Sequence, residues 1–224
     1  LSVINNNCIF ESNKASSLGG AINIYYADKV HNYQCHFVNN KAEKSGGAVT
    51  ITAYKLVLTE RCSFIRNEAC GMRGGGGAIH LEKVILAKTL YCYFRGNLAE
   101  IARGGAIFID LRSSTSRSKA FASIMHSMFV ENLAIAAGAV SVRAAESIGA
   151  LNCSFIHNKA DTKAGCIYIK DSNFVSISKC YFGDNEDSTV NLFPYLHNID
   201  GGCGLKINTA KTVSLYRCTF FSKY

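Results

Sequence analysis

Apolar and polar residues alternate along this chain in short bursts that never lengthen into a helical stripe. Ile22-Asn23-Ile24, Val49-Thr50-Ile51, Ile79-His80-Leu81, Ile107-Phe108-Ile109, Val140-Ser141-Val142, Ile167-Tyr168-Ile169 and Leu205-Lys206-Ile207 each set apolar residues around one variable position. That is the period of a strand with one buried face. A second alternating pair, Cys-x-Phe or Ser-x-Phe, points both its side chains inward. Five residues ahead of each Cys or Ser stands a further apolar position: Val3, Val30, Val57, Ala87, Ala122, Ile148, Val175 and Val213. No stretch sustains an i, i+3, i+4, i+7 spacing, so the pattern predicts an all-β chain.

The bursts recur. Phe10, Phe37, Phe64, Phe94, Phe129, Phe155, Phe182 and Phe220 stand at intervals of 27, 27, 30, 35, 26, 27 and 38 residues. Between them come Gly19-Gly20-Ala21, Gly46-Gly47-Ala48, Gly76-Gly77-Ala78 and Gly104-Gly105-Ala106, then the weaker Ala137-Gly138-Ala139, Ala164-Gly165-Cys166 and Gly202-Cys203-Gly204. A period of this size means stacked supersecondary units. The expectation is a single-stranded right-handed parallel β-helix, a solenoid of about eight rungs with roughly 27 residues per rung, the hand following the general preference for right-handed crossovers. Residues 1–224 form one continuous segment, with loop insertions near 110–119 and 188–200. Asn13, Asn40, Asn67, Asn97, Asn132, Asn158 and Asn185 are expected on the turns, in left-handed backbone and bonding their own turn.

Seven of ten cysteines share one column: Cys8, Cys35, Cys62, Cys92, Cys153, Cys180 and Cys218, with Ser127 in the remaining place. Stacked Cα atoms fall within disulfide range, so pairing between rungs stays open. A ladder of identical neighbours interrupted by Ser reads more naturally as buried free thiols, small and polarizable. No Cys-x-x-Cys or His/Cys cluster has zinc-ligand spacing, and no cofactor is expected.

The chain is 48% hydrophobic with a net charge of +8 spread along its length. Solvated rung edges account for that charge; attraction to acidic glycans, anionic lipid, nucleic acid or acidic protein surfaces is the functional alternative. Nucleic acid is the weakest of these, because no recognised binding motif accompanies the charge. No apolar run reaches the roughly 18–20 residues of a membrane span.

Catalysis finds little support. Glycan-cleaving chemistry needs carboxylates held close together, yet Asp28, Asp110, Asp161, Asp171, Asp184, Asp187 and Asp200 share no repeat phase. Asp184, Glu186 and Asp187 make the only dense acidic patch, which a solvated turn or a weak calcium loop explains equally well. His157, beside Asn158, reads as a surface residue. The expectation is no enzyme.

Partner contacts are better sought in the stretched intervals, because insertions in a solenoid emerge as loops. The segment 110–119 is basic and hydroxyl-rich; Arg112, Arg117 and Lys119 suit an anionic partner, and its serines suit phosphorylation. The segment 188–198 is apolar, and Leu192, Phe193, Tyr195 and Leu196 either fold back on the rod or meet another protein chain. Neither end shows a polar cap, so a longer solenoid, or copies joined end to end, is expected.

Repeats that pair Gly-Gly-Ala-Ile/Val with Phe-x-x-Asn resemble those of the polymorphic outer membrane proteins and of β-helical surface proteins of protist parasites. Phe10 to Asn13, Phe37 to Asn40, Phe64 to Asn67, Phe94 to Asn97, Phe129 to Asn132, Phe155 to Asn158 and Phe182 to Asn185 carry the likeness; Phe220, with Lys223 in place of Asn, departs from it. The resemblance implies a right-handed β-helix acting as a surface stalk or adhesin, and no catalytic residue. Bacterial members also carry an exporting membrane β-barrel, to which nothing here is similar. The reading favoured is a non-enzymatic structural or adhesive protein at the cell surface or outside the cell. The alternatives are an intracellular, cytoskeleton-associated scaffold bound to an acidic polymer, and a β-helical polysaccharide lyase or hydrolase.

Overall fold

The computed structural model describes residues 1–72, 74–112, 119–187 and 204–222, with the side chains of Tyr54 and Asp187 excepted. The chain is an all-β parallel solenoid of about six turns, at about 27 residues per turn. Three parallel sheets run its length: one of 13 strands, one of eight and one of seven. The 13-stranded sheet has two halves, one built from the strands after each glycine motif and one from the strands before each Cys column. In two rungs a single 12-residue strand, Ile22–Tyr33 or Val49–Glu60, spans both halves. Elsewhere the halves separate, as in Ile79–Glu82 followed by Leu86–Leu90.

Register follows the repeat and ignores loop length. Phe64 pairs with Phe94 across an interval of 30 residues, and Phe94 with Phe129 across 35. Val57, Ala87, Ala122, Ile148 and Val175 are aligned in the same way. Register holds across these longer intervals because slipping the strands would turn every inward side chain outward.

The Phe rings form one continuous stack, with successive centroids 4.6–5.0 Å apart and planes nearly parallel. Six of them, Phe37 to Phe182, are fully buried, whereas Phe220 is half exposed. Eight strands do stack on the Phe face, but a turn is complete only where a rung covers it on both sides. The expected eight rungs therefore reduce to about six turns.

The sheets are joined by tight corners. The residue before each Cys or Ser has φ near +50°, as at Gln34, Arg61, Tyr91, His126, Asn152 and Lys179. A second left-handed residue precedes each Asn, as at Asn39, Arg66, Glu131 and His157. Here the sequence expectation needs correcting: the repeat Asn is not itself left-handed and does not bond its own turn. Asn40, Asn67, Asn97, Asn132 and Asn158 are fully buried, and each bonds to the rungs on either side. The Asn97 side-chain amide donates to Asn132 Oδ1 at 2.9 Å and to the Phe64 carbonyl at 3.0 Å. Its Oδ1 accepts from the backbone N–H and the side chain of Asn67, both at 3.0 Å. An amide offers donor and acceptor together, which is what an unbroken ladder requires.

The Cys column follows similar logic. Sγ of Cys35, Cys62, Cys92, Cys153 and Cys180 donates to the carbonyl two residues back, at 3.2–3.3 Å. Ser127 Oγ does the same at 2.8 Å and accepts from the Cys92 N–H at 3.1 Å. A hydroxyl reproduces the thiol's bonds, so Ser is tolerated in the column. No disulfide joins Cys8, Cys35, Cys62, Cys70, Cys92, Cys153, Cys166, Cys180 or Cys218. Burial pushes the Cys35 thiol up to about 11 and that of Cys92 well above its ordinary value.

The glycine pair divides its labour. Gly46 takes φ +60°, a conformation costly for residues with a Cβ. A Cβ on Gly47 would lie 2.1 Å from the Gly77 carbonyl oxygen and 2.4 Å from the Glu68 nitrogen. The second glycine is thus needed for close approach between the corner and the seven-stranded sheet of the next rung.

Candidate functional site

The strands after the glycine motifs were expected to bury one face. In the middle rungs they bury both. The outward-facing Thr50, His80, Phe108, Ser141 and Tyr168 are each no more than 3% exposed, because corner segments near residues 71–72, 101–103, 135–136 and 162–163 overhang them. A groove lies between this overhang and the sheet. One part, of 460 Å³, is lined by residues including Tyr25, Lys44, Met72, His80 and Glu82. An adjoining part, of 550 Å³, shares Met72, Gly74 and Glu82 and continues past Arg103, Asp110, Arg112, Arg143 and Lys163.

Register explains how these residues meet. Glu82, Asp110, Arg143 and Lys170 occupy the same position on four successive strands. Arg103 ends the strand Leu98–Arg103 on the overhanging side. Arg112 donates from Nε to both Asp110 oxygens, at 2.8 and 3.0 Å, and Arg143 Nη1 lies 4.0 Å from Asp110 Oδ2. Burial opposes the Asp110 charge, but the hydrogen bonds from Arg112 and the nearby Arg143 outweigh it and hold the carboxyl below its ordinary range. Burial, and then the charges of Arg112 and Arg103, push Arg143 below the usual guanidinium value. Lys163 is lowered by burial and by Arg103, and its Nζ sits 4.7 Å from the Tyr168 ring centroid.

His80 forms the floor of the first part. Its ring stacks on Phe108 at 5.0 Å, and neither ring nitrogen has a hydrogen-bond partner. Glu82 Oε1 stands 3.5 Å from Nε2. Burial lowers the His80 pKa to about 4, so the ring is neutral near pH 7.

Of the residues singled out in the sequence, Arg112 enters this groove. Lys119 lies elsewhere, exposed and 3.5 Å from Glu146. Arg117, Leu192, Phe193, Tyr195 and Leu196 lie outside the described residues. In the acidic patch, Glu186 pairs with Lys159 at 3.1 Å at the surface. Sequence reasoning missed His80, Arg103, Asp110, Arg143 and Lys163. The available signal was the column three residues past each strand's first apolar position, which reads Thr52, Glu82, Asp110, Arg143 and Lys170 once the repeats are aligned.

The Chlamydia polymorphic membrane protein repeat matches residues 7–25, a stretch that holds the first Phe-x-x-Asn and the first glycine motif. No curated protein and no solved structure is significantly similar to the chain. The matched repeat carries on in register through the solenoid by the same Phe, Asn and Gly positions, so the β-helix fits the polymorphic membrane protein type of repeat.

Proposed function

We propose that this β-helix is a structural, adhesin-like segment of a surface protein. The observation that carries the reading is where the repeat residues go: Phe, Asn, Cys and Gly are all consumed by core and corners. Side chains free to differ from rung to rung are left on the outside, which is the economy of a scaffold that displays contacts. The repeat match supports it, since the polymorphic membrane proteins are surface proteins.

Antibodies raised against the chain, applied to intact and to permeabilised cells of the source organism, test the location. Beads coated with the purified chain test adhesion. Staining of intact cells and retention of beads on a partner cell layer are expected; staining only after permeabilisation would sink the reading. The free thiols favour a second reading, an intracellular scaffold, because reduced cysteines belong to reducing compartments. The same staining separates the two.

A further inference from the structure

The groove over the middle rungs holds more positive charge than its own carboxylates neutralise. Among the described residues, Arg103, Arg112, Arg143 and Lys163 line the larger part with Glu82 and Asp110, and Asp171 is a further carboxylate that acts on Arg112 and Arg143. Arg112 takes most of Asp110 through three side-chain hydrogen bonds and one from its backbone N–H. Arg143 reaches the same carboxylate only at 4.0 Å, with its side chain 19% exposed. Buried atoms Arg103 Nη1 and Arg143 Nε have no hydrogen-bond partner. Guanidinium donors held out of water without an acceptor are costly, and an incoming anion would supply both the acceptor and the missing charge.

The shape narrows the class of anion. The cations are spaced along the rod axis by the rung repeat, so the groove suits a linear polymer with a charge on successive units. Its walls include Ile101, Phe108 and Ile135, apolar surface of the kind the face of a sugar ring covers. The floor offers side chains alone, because the backbone groups of its strands are committed to the ladders between rungs. An extended acidic peptide would look for free backbone partners and finds none on that floor. The neutral His80 adds an unpaired donor and acceptor at the adjoining end, suited to hydroxyl groups.

We propose that this groove binds an acidic glycan, a linear sugar chain bearing carboxylate or sulfate groups, with Arg103, Arg143 and Lys163 as its anion contacts. The proposal rests on the adhesin-like reading and gives it a ligand class.

The test uses the whole chain and four probes: oligogalacturonate for carboxylates, a heparin oligosaccharide for sulfates, neutral dextran, and poly-glutamate for an acidic polypeptide. Binding is followed by calorimetry at physiological salt, and each variant's melting is checked by circular dichroism. At least one anionic glycan should bind, and dextran should not. The double variant Arg143→Gln with Lys163→Gln should weaken that binding about tenfold or more, as expected for lost charge-assisted hydrogen bonds. Lys29→Gln with Lys88→Gln removes the same charge from the other half of the long sheet and should leave binding within about twofold. Failure of both glycans to bind, poly-glutamate binding as tightly as they do, or equal losses in both double variants would each overturn the proposal. Bead adhesion that survives Arg143→Gln with Lys163→Gln would remove the groove while leaving the adhesin-like reading intact.

Discussion

The side-chain amide of Asn67 donates to Oδ1 of Asn97 at 3.0 Å, and that oxygen also accepts the Asn67 backbone N–H at 3.0 Å. The two residues are 30 positions apart in sequence, yet they are consecutive links in one buried ladder. Its links run from Asn13 to Asn185, and the inner ones, Asn40 to Asn158, are satisfied from the rungs on both sides.

Asn97→Leu should therefore be among the most damaging single changes. It strands the Asn67 backbone N–H and one of its side-chain amide protons in a dry interior, and removes the amide donor from the Phe64 carbonyl. Each unsatisfied buried group costs about 1–3 kcal/mol, so a loss of roughly 3 kcal/mol or more is expected in urea unfolding. A loss below about 1 kcal/mol would mean that water or a corner shift replaces the ladder.

Phe64→Ala removes a ring stacked on both faces, against Phe37 and Phe94. A cost of about 3–5 kcal/mol is expected. Phe220→Ala removes a half-exposed ring that stacks on Phe182 alone, and should cost distinctly less. Equal melting shifts for the two variants would contradict a stack whose middle is buried and whose last ring is open.

Gly47→Ala and Gly149→Ala separate two uses of glycine. At Gly47 a Cβ meets backbone at 2.1 and 2.4 Å, whereas at Gly149 the nearest atom is 3.9 Å away. The first should lower the melting temperature markedly. The second should leave stability unchanged or raise it by about 0.4–1 kcal/mol, through reduced freedom of the unfolded chain.

His80 predicts a dependence on pH. Its folded pKa of about 4 lies below the ordinary 6.5 because burial disfavours the charged ring. Between those values the unfolded chain binds a proton that the folded chain refuses, so the contribution is complete above pH 6.5 and is lost as pH falls towards 4. The shift corresponds to about 3 kcal/mol. Urea titrations at pH 7 and pH 4.5 should differ by a large part of this in the parent chain and by less in His80→Gln, and identical pH slopes would refute the assignment.

The periodicity carried the stacking, the register and the inward Phe column, because a solenoid writes each rung into the sequence and a slipped rung would expose its apolar side chains. The role of Asn97 was not legible in the same way. An Asn beside a corner looks like a turn residue whether its side chain faces out or in, and only the left-handed backbone of the residue before it decides the matter. The groove was hidden for a different cause. His80, Asp110 and Arg143 sit at outward positions that would be solvated on an uncovered sheet; what buries them is an overhang from residues 20–30 positions away in some cases and nearly adjacent in others. Arg112 was singled out as part of a loop, while its bond to Asp110 makes it part of the groove wall.

The ladders between rungs lie along the rod axis, and this has a mechanical consequence. A pull from end to end loads the interfaces between rungs in series, while the Asn, Phe and backbone contacts within any one interface share the load in parallel. The rod is then as strong as its weakest interface, and yielding there would release about 27 residues of slack as one step. A tether built this way lengthens by whole turns under load before it parts, so an attached particle would feel a force capped by a single interface and not by the length of the rod.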